Sequence, residues 1–471
     1  MGMRKMKNSD DRAFSDITGM VSEACAARHV SLEEIAERTR VLSGYNGRKR
    51  FSPVQLLTLL LMWCTNGCTL RDLAAIVAVE IGFPLTDSGL LGRFRKCAAF
   101  LREICKGLLA PSAPPVPRGR RLLILDASDI RGARRRSLTR LHQALACEAD
   151  RDGRLSVRPG DFEVTRTRGA GVGERLDRAC HRYRRGDIAV ADRGYYCARG
   201  IIHVHDSGAD VIVRFQSRSS PIWLSGEDGL RKADLLEMIR SLGLGPGEAG
   251  EVRGGTCVRS DTRTLPVRVC VRRKTEAEAD CARARLDKYV CNHHRAASGA
   301  ARRVDDETYE YCRYIVVVTT LPADECAAEE VLRLYRLRWQ VELLFKRMKS
   351  IGELRRMPVW NDDSSEVYLL AKKLLFILMD AEAGLPAALP CDDNAPWGED
   401  LPGDGFEAGD DFLWEEFRRR YHEISSSLWH RIPDAHIPKY MRLRNRQHKR
   451  ECNRKRKRSL QMYRMSCQRA V

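Results

Sequence analysis

The chain has 471 residues, 43% of them hydrophobic, which is too long for one simple core and predicts two to four structural units. Its net charge of +19 is uneven: residues 431–471 hold 14 Lys/Arg against Asp434 and Glu451, so a basic tail follows a nearly balanced body and points to a polyanion, nucleic acid ahead of an anionic membrane. No CxxC occurs among the 17 cysteines, and the strongest apolar run, Val54 to Cys64, is about half a membrane span, which argues against a zinc knuckle, a disulfide scaffold and a membrane protein.

The opening "MGMRKMKNSDD" is polar and lacks the apolar stretch of a signal peptide, which predicts a cytoplasmic protein. Residues 1–109 read as a helical domain. "SLEEIAERTR" begins with Ser31 as N-cap and Glu34 three residues on, a capping box. "VQLLTLLLMWC" is a buried helix. "TLRDLAAIVAVEIG" starts at Thr69, the link "GFPL" carries Gly82 and Pro84, and "TDSGLLGRFRKCAAFLREI" starts at Thr86 or Asp87. Two helices about a tight turn, the second bearing Arg93, Arg95 and Lys96, fit a helix-turn-helix that binds DNA. The same pattern fits a plain helical hairpin, and spacing alone does not choose between them.

Residues 110–120 form a proline-rich linker. From 121 to 215 the character changes. "LLILDASD" and "DIAVADRGYY" are short apolar runs ending in a carboxylate, Asp126 and Asp192, and such runs suit strands buried on both faces. "SLTRLHQALACEAD" and "LSVRPGDFEVTRT" are further strand candidates, and a helix followed by a strand is predicted over 200–213. Residues 216–311 alternate like antiparallel strands. "YCRYIVVVTTLP" then gives another buried strand, and one long helix is predicted from Pro322 and Asp324 onward, with Glu342 deep inside it. A second helix, "EVYLLAKKLLFILMDAEA", completes 312–383. The region 384–471 is an acidic Pro/Gly spacer followed by the basic tail, predicted helical.

The long helix carries an unusual stripe. At about 100° per residue, Tyr335, Arg338, Glu342 and Lys349 fall within about 60° of one another. Three carboxylates at the ends of adjacent elements, Asp126, Asp192 and Glu342, offer hard oxygen ligands to two divalent cations about 4 Å apart on a phosphodiester, and Mg²⁺ suits such a site. Arg338 and Lys349 suit backbone phosphates, and Tyr335 a hydrogen bond or stacking nearby. Taken singly, either Asp also reads as a turn former, and Glu342 as a surface residue paired with Lys346.

"YRLRWQVELLFKRMK" resembles the Y-(2)-R-(3)-E-(6)-K signature of bacterial insertion-sequence transposases of the DDE class, with Tyr335, Arg338, Glu342 and Lys349 at its four named positions. "VADRGYY" is similar to that group's second motif and "LLILDASD" to its first. The resemblance covers most of residues 30–380. It implies an α/β fold with a ribonuclease-H-like core interrupted by a β-stranded insertion, the gap from Asp192 to Glu342 accommodating the alternating stretch. It also implies cut-and-paste transposition through a hairpin intermediate, with Asp126 bridging two Mg²⁺ ions (Mn²⁺ as a substitute) and Asp192 and Glu342 each completing one. The partners implied are transposon terminal inverted repeats, target DNA and a second copy of the chain in a synaptic dimer, with no membrane. Trp223 in the insertion is the candidate aromatic platform for a flipped base. Two rivals share these features: a metal-dependent nuclease that cuts without joining, and a DNA-binding repressor derived from an inactive transposase.

Overall fold

The computed structural model describes residues 13–27, 29–43, 51–64, 69–108, 120–131, 138–149, 155–166, 173–217, 219–227, 229–261, 263–294, 304–338, 341, 345, 349, 354, 357 and 362–383. The linker, the spacer, the basic tail and Glu342 lie outside them. The described residues fall into two units, one helical and preceding Leu108 except for Glu366–Met379, the other within Leu109–Ser365.

In the helical unit, Ser31 caps Leu32–Thr39 by accepting a hydrogen bond from the Glu34 amide at 3.3 Å. Pro53–Cys64 has so little polar surface that Leu56 through Cys64 are all buried. Its last carbonyl, on Cys64, accepts from Lys372 Nζ at 2.7 Å and from the Tyr368 hydroxyl at 3.2 Å, so a later helix, Asp362–Ala383, supplies the partners an exposed helix end would find in water. Trp63 packs against both Phe94 and Tyr368, with ring centroids 5.2 Å apart in each case. Leu70–Ile76 continues as a π-helical turn, Val77–Ile81, and closes at Gly82 in the left-handed region (φ 84°). Thr86 then caps Asp87–Phe94. The single helix expected beyond Thr86 is in fact two: the chain turns at Arg95 and Lys96 and restarts as Ala98–Leu108.

The second unit is mixed α/β. Its strands are β1 Leu122–Arg131, β2 Leu138–Ala149, β3 Leu155–Arg166, β4 Ile188–Ala191, β5 Asp210–Arg214, β6 Trp223–Gly226, β7 Gly229–Lys232, β8 Ala249–Val252, β9 Thr256–Ser260, β10 Arg263–Pro266, β11 Arg268–Arg273 and β12 Tyr314–Thr319. Eight of them form one sheet in the order β3-β2-β1-β4-β5-β12-β11-β8. The centre, β1, β4 and β5, is parallel, and the strands to either side pair antiparallel. Every residue of β4 is buried, which is why its sequence is an unbroken apolar run rather than an alternation. One face, with Leu123, Leu125, Ala189, Ala191, Val211 and Val213, packs on the helix Ala198–Asp206 and its neighbours. The opposite face is covered by the helix Ala328–Arg336, whose Val331, Leu332 and Tyr335 are buried and which packs across β4, β5, β12, β11 and β8.

The alternating stretch divides. β6, β7, β9 and β10 form a separate antiparallel sheet, whereas β8 and β11 extend the large one. It also contains a helix the alternation concealed, Glu276–His294. The long helix expected from Pro322 begins only at Ala328, because residues 322–326 form turns, and it is interrupted at Leu337 and Arg338, whose amides bond three residues back.

One glycine holds the smaller sheet together. A Cβ at Gly255 would lie 2.6 Å from the Ser225 carbonyl oxygen, and the Ser225 amide donates to the Gly255 carbonyl at 2.8 Å. Gly255→Ala therefore has to push β6 away, and should destabilise this sheet by about 1–3 kcal/mol. Hydrogen exchange at the Ser225 amide checks it; unchanged protection would mean that the backbones adjust without separating.

Candidate active site

Residues Leu122–Leu125 of β1 pair in register with Ile188–Ala191 of β4, in parallel. The next residue on each strand is a carboxylate, Asp126 and Asp192. Side chains alternate along a strand, so both lie on the face of Ile124 and Val190, the face the helix Ala328–Arg336 covers. Each acid thus follows the last residue of the β1–β4 parallel pairing: Asp126 midway along β1, which runs on beside β2, and Asp192 just past the end of β4.

Both are half-buried, and each is partly engaged by its own backbone. Asp126 Oδ1 accepts from the Ala127 amide at 2.7 Å, and Asp192 Oδ1 accepts from the Gly194 amide at 2.9 Å, capping the short 3₁₀ turn Arg193–Tyr195. The turn-forming role open to an Asp after a strand is real for Asp192, and it occupies one of the two carboxylate oxygens.

A third carboxylate stands beside this turn, one the sequence reading did not single out. Burial first, and then the neighbouring Asp192 charge, pushes the Glu174 carboxyl above its ordinary range, against the pull of Arg140. Glu174 Oε1 lies 3.8 Å from Arg140 Nη1, and Arg140 also holds Asp129 across the β1–β2 pair at 2.7 Å. The Tyr195 hydroxyl is 1% exposed and has no hydrogen-bond partner among the described residues; burial, then Asp126 and Glu174, keep it protonated.

The stripe residues are placed in part. Tyr335 and Arg338 are both buried, with the guanidinium carbon 5.9 Å from the tyrosine ring centroid; Lys349 is half-buried. Trp223 begins β6, half-buried, with the Arg259 guanidinium 5.6 Å from its ring and Lys232 and Cys257 as cross-strand partners. In the helical unit, Arg95 and Lys96 are exposed, but Arg93 is buried with its guanidinium 4.8 and 5.4 Å from the rings of Phe51 and Phe83. That stacking stabilises the helical unit by about 0.5–2 kcal/mol.

The donor type suits a hard divalent cation: the carboxylate oxygens of Asp126 and Asp192, with half-buried Glu174 near the Asp192 turn. Among the described residues no three His, Cys, Asp or Glu side chains converge closely enough to hold an ion, and the remaining candidate, Glu342, lies outside them. No described helix is long and apolar enough to cross a membrane.

Comparison with known proteins shows the family. Residues 117–378, the span of the large sheet and its helices, match the family model described as "Transposase DDE domain". The InsL protein for insertion sequence element IS186A of Escherichia coli (strain K12) is 30% identical over 336 residues, 69% of this chain and 83% of its own length. The transposase for insertion sequence element IS421 of Escherichia coli is 30% identical over 337 residues, with the same coverage. The transposase for IS231F of Bacillus thuringiensis subsp. israelensis is 24% identical over 205 residues, 41% of each chain. The mixed sheet is consistent with a ribonuclease-H-like core, and the chain belongs to the DDE transposases of bacterial insertion sequences.

Proposed function

We propose that the chain performs cut-and-paste transposition of an insertion sequence, with Asp126, Asp192 and Glu342 as the catalytic acids. The observation that carries this reading is that Asp126 and Asp192 each come directly after the last residue of the β1–β4 parallel pairing, in a sheet packed by the helix Ala328–Arg336. Asp126, Asp192 and Glu342 would hold the divalent cations, Mg²⁺ or Mn²⁺ in its place. Such ions, when bound, lower the pKa of an attacking water and stabilise the leaving oxygen at phosphorus.

The chain's own groups orient the reactants. Lys349, half-buried, is the proposed contact to a backbone phosphate. The burial of Arg338 against Tyr335 suits a role in fixing the helical turn before Glu342, and phosphate contact there would follow DNA entry. Water attack at the element's end breaks the bond to the flanking strand and leaves a 3′-OH. That hydroxyl then attacks the opposite strand to form a hairpin, and after reopening it attacks target DNA. Trp223, its face shared with Arg259, is the proposed platform for the base displaced in the bend. The helical unit, through Arg95 and Lys96, and the basic tail are the proposed DNA-binding elements, acting on terminal inverted repeats in a synaptic homodimer.

The test uses the DNA flanking the gene, labelled at the element ends, incubated with the full chain and Mg²⁺ or EDTA and resolved on a denaturing gel. Mg²⁺-dependent nicks and hairpins at the ends are expected. Nicks that never rejoin would point to a nuclease, and binding with no cutting to a repressor.

A further inference from the structure

A half-buried carboxylate repelled by another carboxylate carries two costs, partly lost hydration and that repulsion, and a fold that keeps it there needs a compensating gain. Glu174 is such a group. It approaches the Asp192 turn through a gap that exists only because residue 194 is glycine: a Cβ at Gly194 would collide with Glu174 Oε2. Arg140 offsets the charge incompletely, since its closest nitrogen is 3.8 Å away, beyond hydrogen-bonding distance, and the same guanidinium is bonded to Asp129 through two nitrogens, at 2.7 and 3.2 Å. Nor does Glu174 converge with two other acids closely enough to be an ion's ligand among the described residues.

We infer that Glu174 is a positioning residue of the metal site: from behind the Gly194 turn, its negative charge and its contact with that turn fix Asp192 and favour cation binding, without itself ligating the ion. This rests on the reading of Asp126 and Asp192 as metal ligands. A cation at Asp192 would relieve its repulsion with Glu174, so the two effects favour binding together.

The experiment is Mn²⁺ binding to the full chain, followed by electron paramagnetic resonance without DNA. Glu174→Gln, which keeps the shape and removes the charge, should weaken Mn²⁺ affinity roughly 10–100-fold, the range for lost outer-shell partners of metal sites. Glu174→Asp should recover most of that loss. Gly194→Ala should resemble Glu174→Gln, since the new methyl displaces the carboxylate while the flexible end of Glu174 spares the backbone. Wild-type affinity in Glu174→Gln would overturn this inference alone. Binding in the wild type that Asp192→Asn does not reduce would overturn the metal site, and this inference with it.

Discussion

Asp192→Asn will abolish end cleavage and leave end binding intact. The substitution is informative because asparagine separates the observed capping role of Asp192 from its proposed role as a metal ligand. As N-cap of the Arg193–Tyr195 turn it needs only one oxygen to accept the Gly194 amide, and asparagine caps as well as aspartate. As a metal ligand it needs the negative charge, which asparagine lacks. The turn, Gly194 and the buried Tyr195 should therefore stay in place while the rate falls by at least about 10³-fold, as removal of a central catalytic group does elsewhere. Asp126→Asn makes the same separation on β1, where the Ala127 amide keeps its acceptor. Glu342→Gln extends the test to the third acid. Gel-shift affinity and the yield of 3′-nicks on end-labelled DNA are the two readouts. Near-wild-type nicking by either Asn variant would return that residue to a turn former, and loss of end binding would mean that the substitution reached the fold.

The two central strands β1 and β4 were legible because of what parallel pairing does to a sequence. A strand buried on both faces cannot alternate, so "LLIL" and "IAVA" stand out as unbroken runs; the carboxylate after the second marks the end of its strand, whereas β1 runs on past Asp126 to Arg131 because β2 continues to pair with it. The caps at Ser31 and Thr86 were legible for a similar reason, since a cap is local. Long-range facts were not. Glu174 sits in a Gly-rich stretch with no periodicity, and its significance depends on a missing side chain twenty positions later. Arg93 has the same charge as Arg95, and only the fold decides that two phenylalanine rings, not solvent, receive it. The division of the alternating stretch between two sheets depends on β11 finding β12 and β8, a pairing no local pattern encodes. The break at Leu337–Arg338 carries neither proline nor glycine, so nothing local announces it. The helix Glu276–His294 is different, because its signal was present: Thr275 and Glu278 form a reciprocal capping box, at 2.7 and 3.3 Å, hidden by the alternation just before it.

Mild acid will destabilise the α/β unit well before most carboxylates titrate. Beneath the active end of the sheet, His142 and His181 are buried as neutral imidazoles. Burial, followed by the nearby Arg178 and Arg140 charges, pushes His142 down to about 3; burial, opposed by the Leu176 carbonyl, pushes His181 down to about 4. Unfolded, each would take up a proton near pH 6.5. The unfolded chain thus binds protons first as pH falls, so the stability is fully present above about 6.5 and is lost on the way down to the folded values. Near pH 5 each histidine removes about 2 kcal/mol, and the pair about 4 kcal/mol, a large share of an ordinary domain's stability. Glu174 works with the opposite sign: its raised folded value means that the folded form takes up a proton first, which softens the loss rather than causing it. Hydrogen exchange at the β1 and β4 amides, compared near pH 7.5 and near pH 5 after correction for intrinsic rates, isolates opening of this unit from that of the helical one. The opening free energy should fall over that interval, and His142→Gln, which keeps a polar group within reach of the Thr165 hydroxyl, should remove about half of the fall. An opening free energy that stays flat to pH 5 would mean that the two imidazoles take up protons in the folded chain as readily as in the unfolded one, and that water already reaches their unpartnered nitrogens, His142 Nδ1 and His181 Nε2.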